Sequence, residues 1–140
     1  MGFYPGKFPV QVDLAAGMKV GGVAVTSSAA ELNLADNAYQ LLVADGAITV
    51  KNGVCAIAKT VAGAVAATLA DPTTGTDDFK RLTIISAQAQ ANTVTSASSF
   101  GGGGAGEDVA TFSGQIGDTL NLLAYGGKWY ITGVHQCTIA

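Results

Sequence analysis

From Gly46 to the C-terminus, apolar and polar side chains alternate in short runs, each closed by Gly, Asn, Asp or Pro. A period of two belongs to half-buried β-strands, so these residues must pair into sheets. Two of the turn signals are specific. Ile48-Thr49-Val50-Lys51-Asn52-Gly53-Val54-Cys55-Ala56-Ile57 centres on Asn-Gly, which suits the two positive-φ positions of a type I′ turn. It predicts a hairpin pairing Val50 with Cys55 and Ile48 with Ile57, which makes Cys55 a core residue. Thr119 to Tyr125, then Gly126-Gly127, then Lys128 to Thr132, predicts a second hairpin. Its register sets Tyr125 opposite Lys128, Leu123 opposite Tyr130 and Leu122 opposite Ile131, with one of Trp129 and Tyr130 facing in and the other out.

Between these hairpins, Val65, Ala67 and Leu69 alternate, and Arg81 to Ile85 is rich in β-branched residues. Asn92 to Thr95 and Val109 to Phe112 carry weaker signals. About seven or eight short strands between turns predict an all-β domain over 39–140, an antiparallel β-sandwich or jelly roll. No repeat with a solenoid or propeller period is present.

Residues 1–38 differ in character and read as an extended N-terminal arm with one short helix. Phe3, Tyr4 and Phe8 crowd the front, and Val10, Val12, Val23 and Val25 alternate with small or polar neighbours as in short strands. Exposed aromatics at a free terminus would cost solubility, so the arm residues Phe3, Tyr4, Phe8, Val23 and Val25 are the candidate partner-binding set. Ser28-Ala29-Ala30-Glu31 has the capping-box pattern and predicts about two helical turns ending near Asp36-Asn37.

Composition narrows the function. Ala and Gly fill 43 of 140 positions, so the 49% hydrophobic content buries little area per residue, and such a lean core is commonly completed by subunit partners. The net charge of −3 argues against nucleic acid. No apolar run is long enough to span a bilayer, and neither a secretory signal nor a myristoylation site is expected. With two cysteines far apart, free thiols are expected rather than a disulfide framework.

Catalytic constellations are sparse. Gly101-Gly102-Gly103-Gly104-Ala105-Gly106 matches G-x-G-x-x-G, but it lies in a Ser-rich, β-patterned context and reads as a surface loop. His135, Cys137 and Cys55 could contribute metal ligands but lack the paired spacing of structural zinc sites, so neither a metal nor another cofactor is expected. A Ser-His-Asp triad would have to use His135, and Phe112-Ser113-Gly114 is no nucleophile elbow. Asp71, Asp77 and Asp78 could form a glycosidase pair, but beside Pro, Gly and Thr they read as turn formers. The expectation is a non-enzyme.

Thr26-Ser27-Ser28-Ala29-Ala30-Glu31-Leu32-Asn33 resembles the T-[SA]-A-E-[IL]-N segment of tail fibres and head-decoration proteins of tailed bacteriophages. It continues with Leu34-Ala35-Asp36-Asn37, where that segment usually has L-D-G. Gly117-Asp118-Thr119-Leu120-Asn121-Leu122 followed by Gly126-Gly127-Lys128-Trp129-Tyr130-Ile131 is similar to the closing hairpin of small trimeric β-domains in phage virion proteins. The resemblance implies a homotrimeric virion protein without catalysis, contacting neither nucleic acid nor membrane. A chain without shaft or repeats suits a capsid decoration, or cement, protein on the major capsid protein, assembled in the host bacterial cytoplasm. The alternative is a tail-fibre or head-fibre domain that binds a receptor or carbohydrate through loop aromatics, for which Trp129 would be the diagnostic residue.

Overall fold

The computed structural model describes residues 19–20, 23–24, 38–49, 51–59, 61–101 and 106–140. The chain divides into two units, 1–33 and 34–140. In the first, β1 (Lys19–Val20) and β2 (Val23–Ala24) pair antiparallel with Val20 opposite Val23. Val23 is therefore a strand residue. Phe3, Tyr4, Phe8, Val25 and the helix expected from Ser28 lie outside the described residues.

Every described element of the second unit is a strand. They are β3 (Ala38–Leu42), β4 (Gly46–Ile48), β5 (Gly53–Ile57), β6 (Ala66–Leu69), β7 (Arg81–Ser86), β8 (Thr93–Ser96), β9 (Val109–Phe112), β10 (Thr119–Tyr125), β11 (Lys128–His135) and β12 (Cys137–Ile139). They form two five-stranded sheets, β11-β10-β7-β5-β3 and β12-β9-β8-β6-β4. From β3 to β8 the chain alternates between the sheets, so β3, β5 and β7 run parallel in the first, and β4, β6 and β8 in the second. The remaining strands add antiparallel to each stack: β10 on β7 and β11 on β10, β9 on β8 and β12 on β9. The sheets are mixed, not antiparallel throughout.

The reason lies in the corner at Asn52-Gly53. No hairpin forms there, because β4 and β5 belong to different sheets. Ile48, Cys55 and Ile57 are all buried, as a hairpin would require, but they face one core from opposite sheets. Asn52 is occupied by the neighbouring coils: its carbonyl accepts from the Ala38 N–H at 2.8 Å and its Oδ1 from the Arg81 N–H at 3.2 Å. Gly53 has φ 129°, and a Cβ there would overlap the Ala38 carbonyl oxygen, so the position needs glycine for close backbone passage rather than for a two-residue turn.

The β10–β11 hairpin has the expected register, with Tyr125 opposite Lys128, Leu123 opposite Tyr130 and Leu122 opposite Ile131. Gly126 and Gly127, at φ 59° and 77°, supply its two left-handed positions. A register shift beyond Leu122 then sets Asn121 opposite Gly133.

Inward residues of both sheets belong to one buried cluster that includes Ile57, Leu82, Ile84, Leu120 and Trp129 from the first and Leu69, Val94 and Phe112 from the second. Each large side chain there contributes roughly 1.5–3 kcal/mol by leaving water. Polar side chains, buried at Asn92 and Ser86 and partly exposed at Gln40 and Gln88, join successive coils. Asn92 Oδ1 accepts from the Val65 N–H at 2.8 Å and from Gln88 Nε2 at 2.7 Å, while its Nδ2 donates to Ser86 Oγ at 2.9 Å. Gln40 links β3 to the β4 region, donating to the Ala47 carbonyl at 2.9 Å and accepting from the Thr49 N–H at 2.7 Å.

Candidate functional site

The outer face of the first sheet follows from its register. Leu120, Leu122, Ala124 and Trp129 point inward, so Leu123, Tyr125, Lys128 and Tyr130 point outward. Arg81 stands opposite Leu123 on β7. At the far edge, Tyr39 stands opposite Val54 and Leu41 opposite Ala56. Tyr39, Leu41, Val54, Tyr125 and Tyr130 are all exposed, and between the two apolar ends Thr83 Oγ1 donates to Asn121 Oδ1 at 2.8 Å.

The β10–β11 end is shaped as well as apolar. Phe79, Leu123, Tyr125 and Tyr130 line a groove of about 380 Å³. Phe79 is 65% exposed and has φ 67°, a conformation that a bulky residue rarely adopts. Its N–H donates to the Ala124 carbonyl at 2.7 Å, and its ring lies 5.4 Å from that of Tyr125 at 45°. Gly101 backs Tyr130: its N–H donates to the Trp129 carbonyl at 2.6 Å, and a Cβ would come within 2.6 Å of the Tyr130 ring. The Tyr130 ring is thus backed by main chain, and the main chain that carries the exposed Phe79 ring is itself fixed, the arrangement expected where orientation matters.

The residues weighed for chemistry have structural employment. Asp77 is buried and accepts from Lys51 Nζ and Lys80 Nζ, both at 2.7 Å, and from the Thr73 N–H at 2.8 Å. Burial opposes its ionisation, but these hydrogen bonds outweigh that and hold its carboxyl well below the usual carboxylate range. Asp71 Oδ1 accepts from the Ser98 N–H and hydroxyl, and Asp78 Oδ1 from the Gly126 N–H. Three acids with separate partners are corner fasteners rather than a catalytic pair.

Cys55 lies at the core and Cys137 is half-buried on β12; both thiols are free. Burial pushes each up to about 11, with the Asp118 charge adding to the shift at Cys137, so both stay protonated and weakly nucleophilic at neutral pH. His135 is exposed at the end of β11. Among the described residues no three His, Cys, Asp or Glu side chains come together as metal ligands.

Ser113 Oγ donates to Asp118 Oδ2 at 2.9 Å, so Ser113 has a carboxylate and no imidazole as partner. Asp118 Oδ2 also accepts from the Gly114 and Gln115 N–H groups, each at 3.1 Å, and its other oxygen is buried without a hydrogen-bond partner among the described residues. Burial again opposes ionisation, but the Gln115, Ser113 and Gly114 hydrogen bonds lower the Asp118 pKa. Residues 102–105 of the glycine run lie outside the described residues.

Of the candidate arm residues, the structure places only Val23, in β2. Trp129 is 1% exposed, and its indole N–H donates to the Ala70 carbonyl at 3.0 Å, so it anchors the core while Tyr130 faces outward. Sequence reasoning missed Phe79, whose exposed, backbone-held ring follows an Asp-Asp pair in a turn-rich segment. An aromatic in such a segment is the one signal that could have drawn attention to it. No family model matches this sequence, and no curated protein is significantly similar to it.

Proposed function

We propose that the chain is a structural virion protein of a tailed bacteriophage, a homotrimeric β-sandwich that decorates the outer surface of the head and stabilises it. Its partner in this reading is the major capsid protein, with no catalysis and no role for nucleic acid or membrane. It would assemble in the host cytoplasm and remain on the capsid. The observation that carries the reading is the exposed apolar surface at both ends of the first sheet's outer face, on a domain whose polar clusters are spent on joining its own coils. Exposed Tyr, Leu and Val in groups belong to surfaces that become covered. The resemblance of residues 26–33 and of the hairpin over residues 117–131 to phage virion proteins supports that location.

A copy number comparable to that of the major capsid protein in purified particles is expected, read by quantitative mass spectrometry and cryo-EM. A handful of copies per particle would sink the reading and point to a tail or fibre tip. The N-terminal arm is the proposed attachment element, so deletion of residues 2–9 should leave a folded protein that no longer binds heads. A second reading, a receptor- or carbohydrate-binding domain of a tail or head fibre, is favoured by the exposed rings of Phe79, Tyr125 and Tyr130. The burial of Trp129 weighs against it.

A further inference from the structure

We propose that the groove between Phe79, Leu123, Tyr125 and Tyr130 docks an extended acidic segment of a partner protein, one presenting an aromatic or aliphatic side chain beside a carboxylate. This site goes beyond head attachment through the arm and stands whether or not the chain decorates a capsid.

Three independent observations carry it. The walls are rings and aliphatic carbon, with Phe79, Tyr125 and Tyr130 meeting around Leu123, so the floor selects an apolar anchor. A sugar would need polar side chains converging on the groove to hold its hydroxyls, and the lining offers only tyrosine hydroxyls.

The walls are also pre-organised. Phe79 is held at φ 67° by its bond to Ala124, and Tyr130 lies against the Gly101 backbone. A Phe79 backbone and a Tyr130 ring placed before binding reduce the freedom lost when an anchor enters, which helps a small surface to bind usefully.

The third observation is charge. In a chain of net charge −3, the groove is flanked by two cations, Arg81 opposite Leu123 and Lys128 opposite Tyr125. Both are exposed, and neither forms an ion pair among the described residues. Asp78, held by the Gly126 N–H, offsets one of these charges, but Asp77 lies between Lys51 and Lys80 and leaves that adjoining cluster net positive, so the surroundings of the groove keep a positive excess. Complementarity therefore asks for carboxylates flanking the anchor. It also disfavours residues 1–9 of this chain, whose aromatics come with Lys7 and no acid.

The test uses the full-length protein and three labelled hexapeptides, Ser-Asp-Phe-Glu-Leu-Ser, its charge-reversed form Ser-Lys-Phe-Arg-Leu-Ser, and an acidic form with Ala for Phe and Leu. Binding is read by fluorescence anisotropy and by amide shifts in an NMR titration to about 2 mM, a range that reports millimolar contacts. The acidic aromatic peptide should shift amides of Phe79, Leu123, Tyr125 and Tyr130 and bind at least about fivefold more tightly than either other peptide. That preference should shrink as salt rises from about 50 to about 500 mM.

The double variant Arg81→Ser, Lys128→Ser should abolish the preference for acidic over basic peptide, and Tyr125→Ser should remove binding. Each variant should melt within a few degrees of the wild type, because all three side chains are exposed. Equal binding of acidic and basic peptides, shifts centred elsewhere, or a preference surviving in the double variant would overturn the proposal. So would an acidic oligosaccharide such as colominic acid shifting the groove amides while the peptide does not.

Discussion

The two sheets expose different outer faces built on the same pattern. In the second sheet, Ala47, Thr68, Thr95 and Val109 form one cross-strand row, and Ala66, Thr93, Thr111 and Thr138 form the next. The corresponding positions of the first sheet hold Tyr39, Leu41 and Val54 at one edge and Leu123, Tyr125 and Tyr130 near the other. These rows of the second face carry no charged side chain and the first face carries only Arg81 and Lys128 beside its groove, so low charge alone does not distinguish a wet surface from a covered one. Threonine offers a methyl to its strand neighbours and a hydroxyl to water, and a face of threonine and alanine is stable when solvated. A tyrosine–leucine surface leaves large apolar area in water and gains by being covered. Low charge density thus serves two ends in one molecule.

The inner faces set the upper limit of any effect. Trp129→Ala should cost about 3–5 kcal/mol, through the cavity and the orphaned Ala70 carbonyl, and chemical denaturation would read it. A loss below about 1 kcal/mol would mean that Trp129 is not the anchor described. The outer-face comparison is tested next. Tyr39→Asp with Leu41→Asp should abolish association with other copies while leaving the domain folded and the arm able to bind heads, whereas Thr68→Asp with Thr95→Asp should leave association unchanged. Analytical ultracentrifugation and particle binding would separate the two, and equal effects on both faces would dissolve the distinction.

Asp77→Asn should cost about 1–3 kcal/mol by loosening the Lys51 and Lys80 contacts. Because the folded carboxyl titrates below its unfolded value near 4, its contribution is fully present above that pH and is lost as pH falls through the folded value. Melting curves of the variant should therefore vary less with acidification between about pH 5 and 2 than those of the wild type. The smallest effect is expected at Phe79→Gly. Relief of the positive-φ strain, about 1 kcal/mol, offsets the lost ring contact, so stability should stay within about 1 kcal/mol while groove binding falls.

Much of this architecture was legible as strands and little of it as pairings. Val109–Phe112 and Thr119–Tyr125 are strands over the residues expected, because their alternation meets a single buried face. The Gly126-Gly127 hairpin was readable because its partners are adjacent in sequence and the turn fixes their register. At Asn52-Gly53 the same logic failed. Alternation states which side of a strand is buried, and two strands facing each other across a core satisfy it as well as two strands side by side. Nothing local in Ile48 to Ile57 separates these cases; the Ala38 and Arg81 backbone groups that decide it lie 14 residues before and 29 after Asn52. The groove was hidden for a similar reason, since Phe79 matters through its backbone conformation and a ring on another strand.

The alternation of β3 to β8 between sheets also bears on how the chain reaches its fold. From β3 to β7 no strand is hydrogen-bonded to the one that follows it, so each must wait for a segment made after a full circuit of the core. Among the described strand pairs of this unit, only β10 and β11 meet across a tight turn. Closure of the long loops comes before the contacts that reward it, which places the domain among slow, high-contact-order folders, in the millisecond-to-second range of about 10⁻³ to 1 s. The Gly126-Gly127 hairpin is the natural early structure, against which β7 and then the earlier coils could dock. A newly made chain would therefore hold each early strand without its partner until the strand one circuit later has emerged, β5 for β3 and β6 for β4.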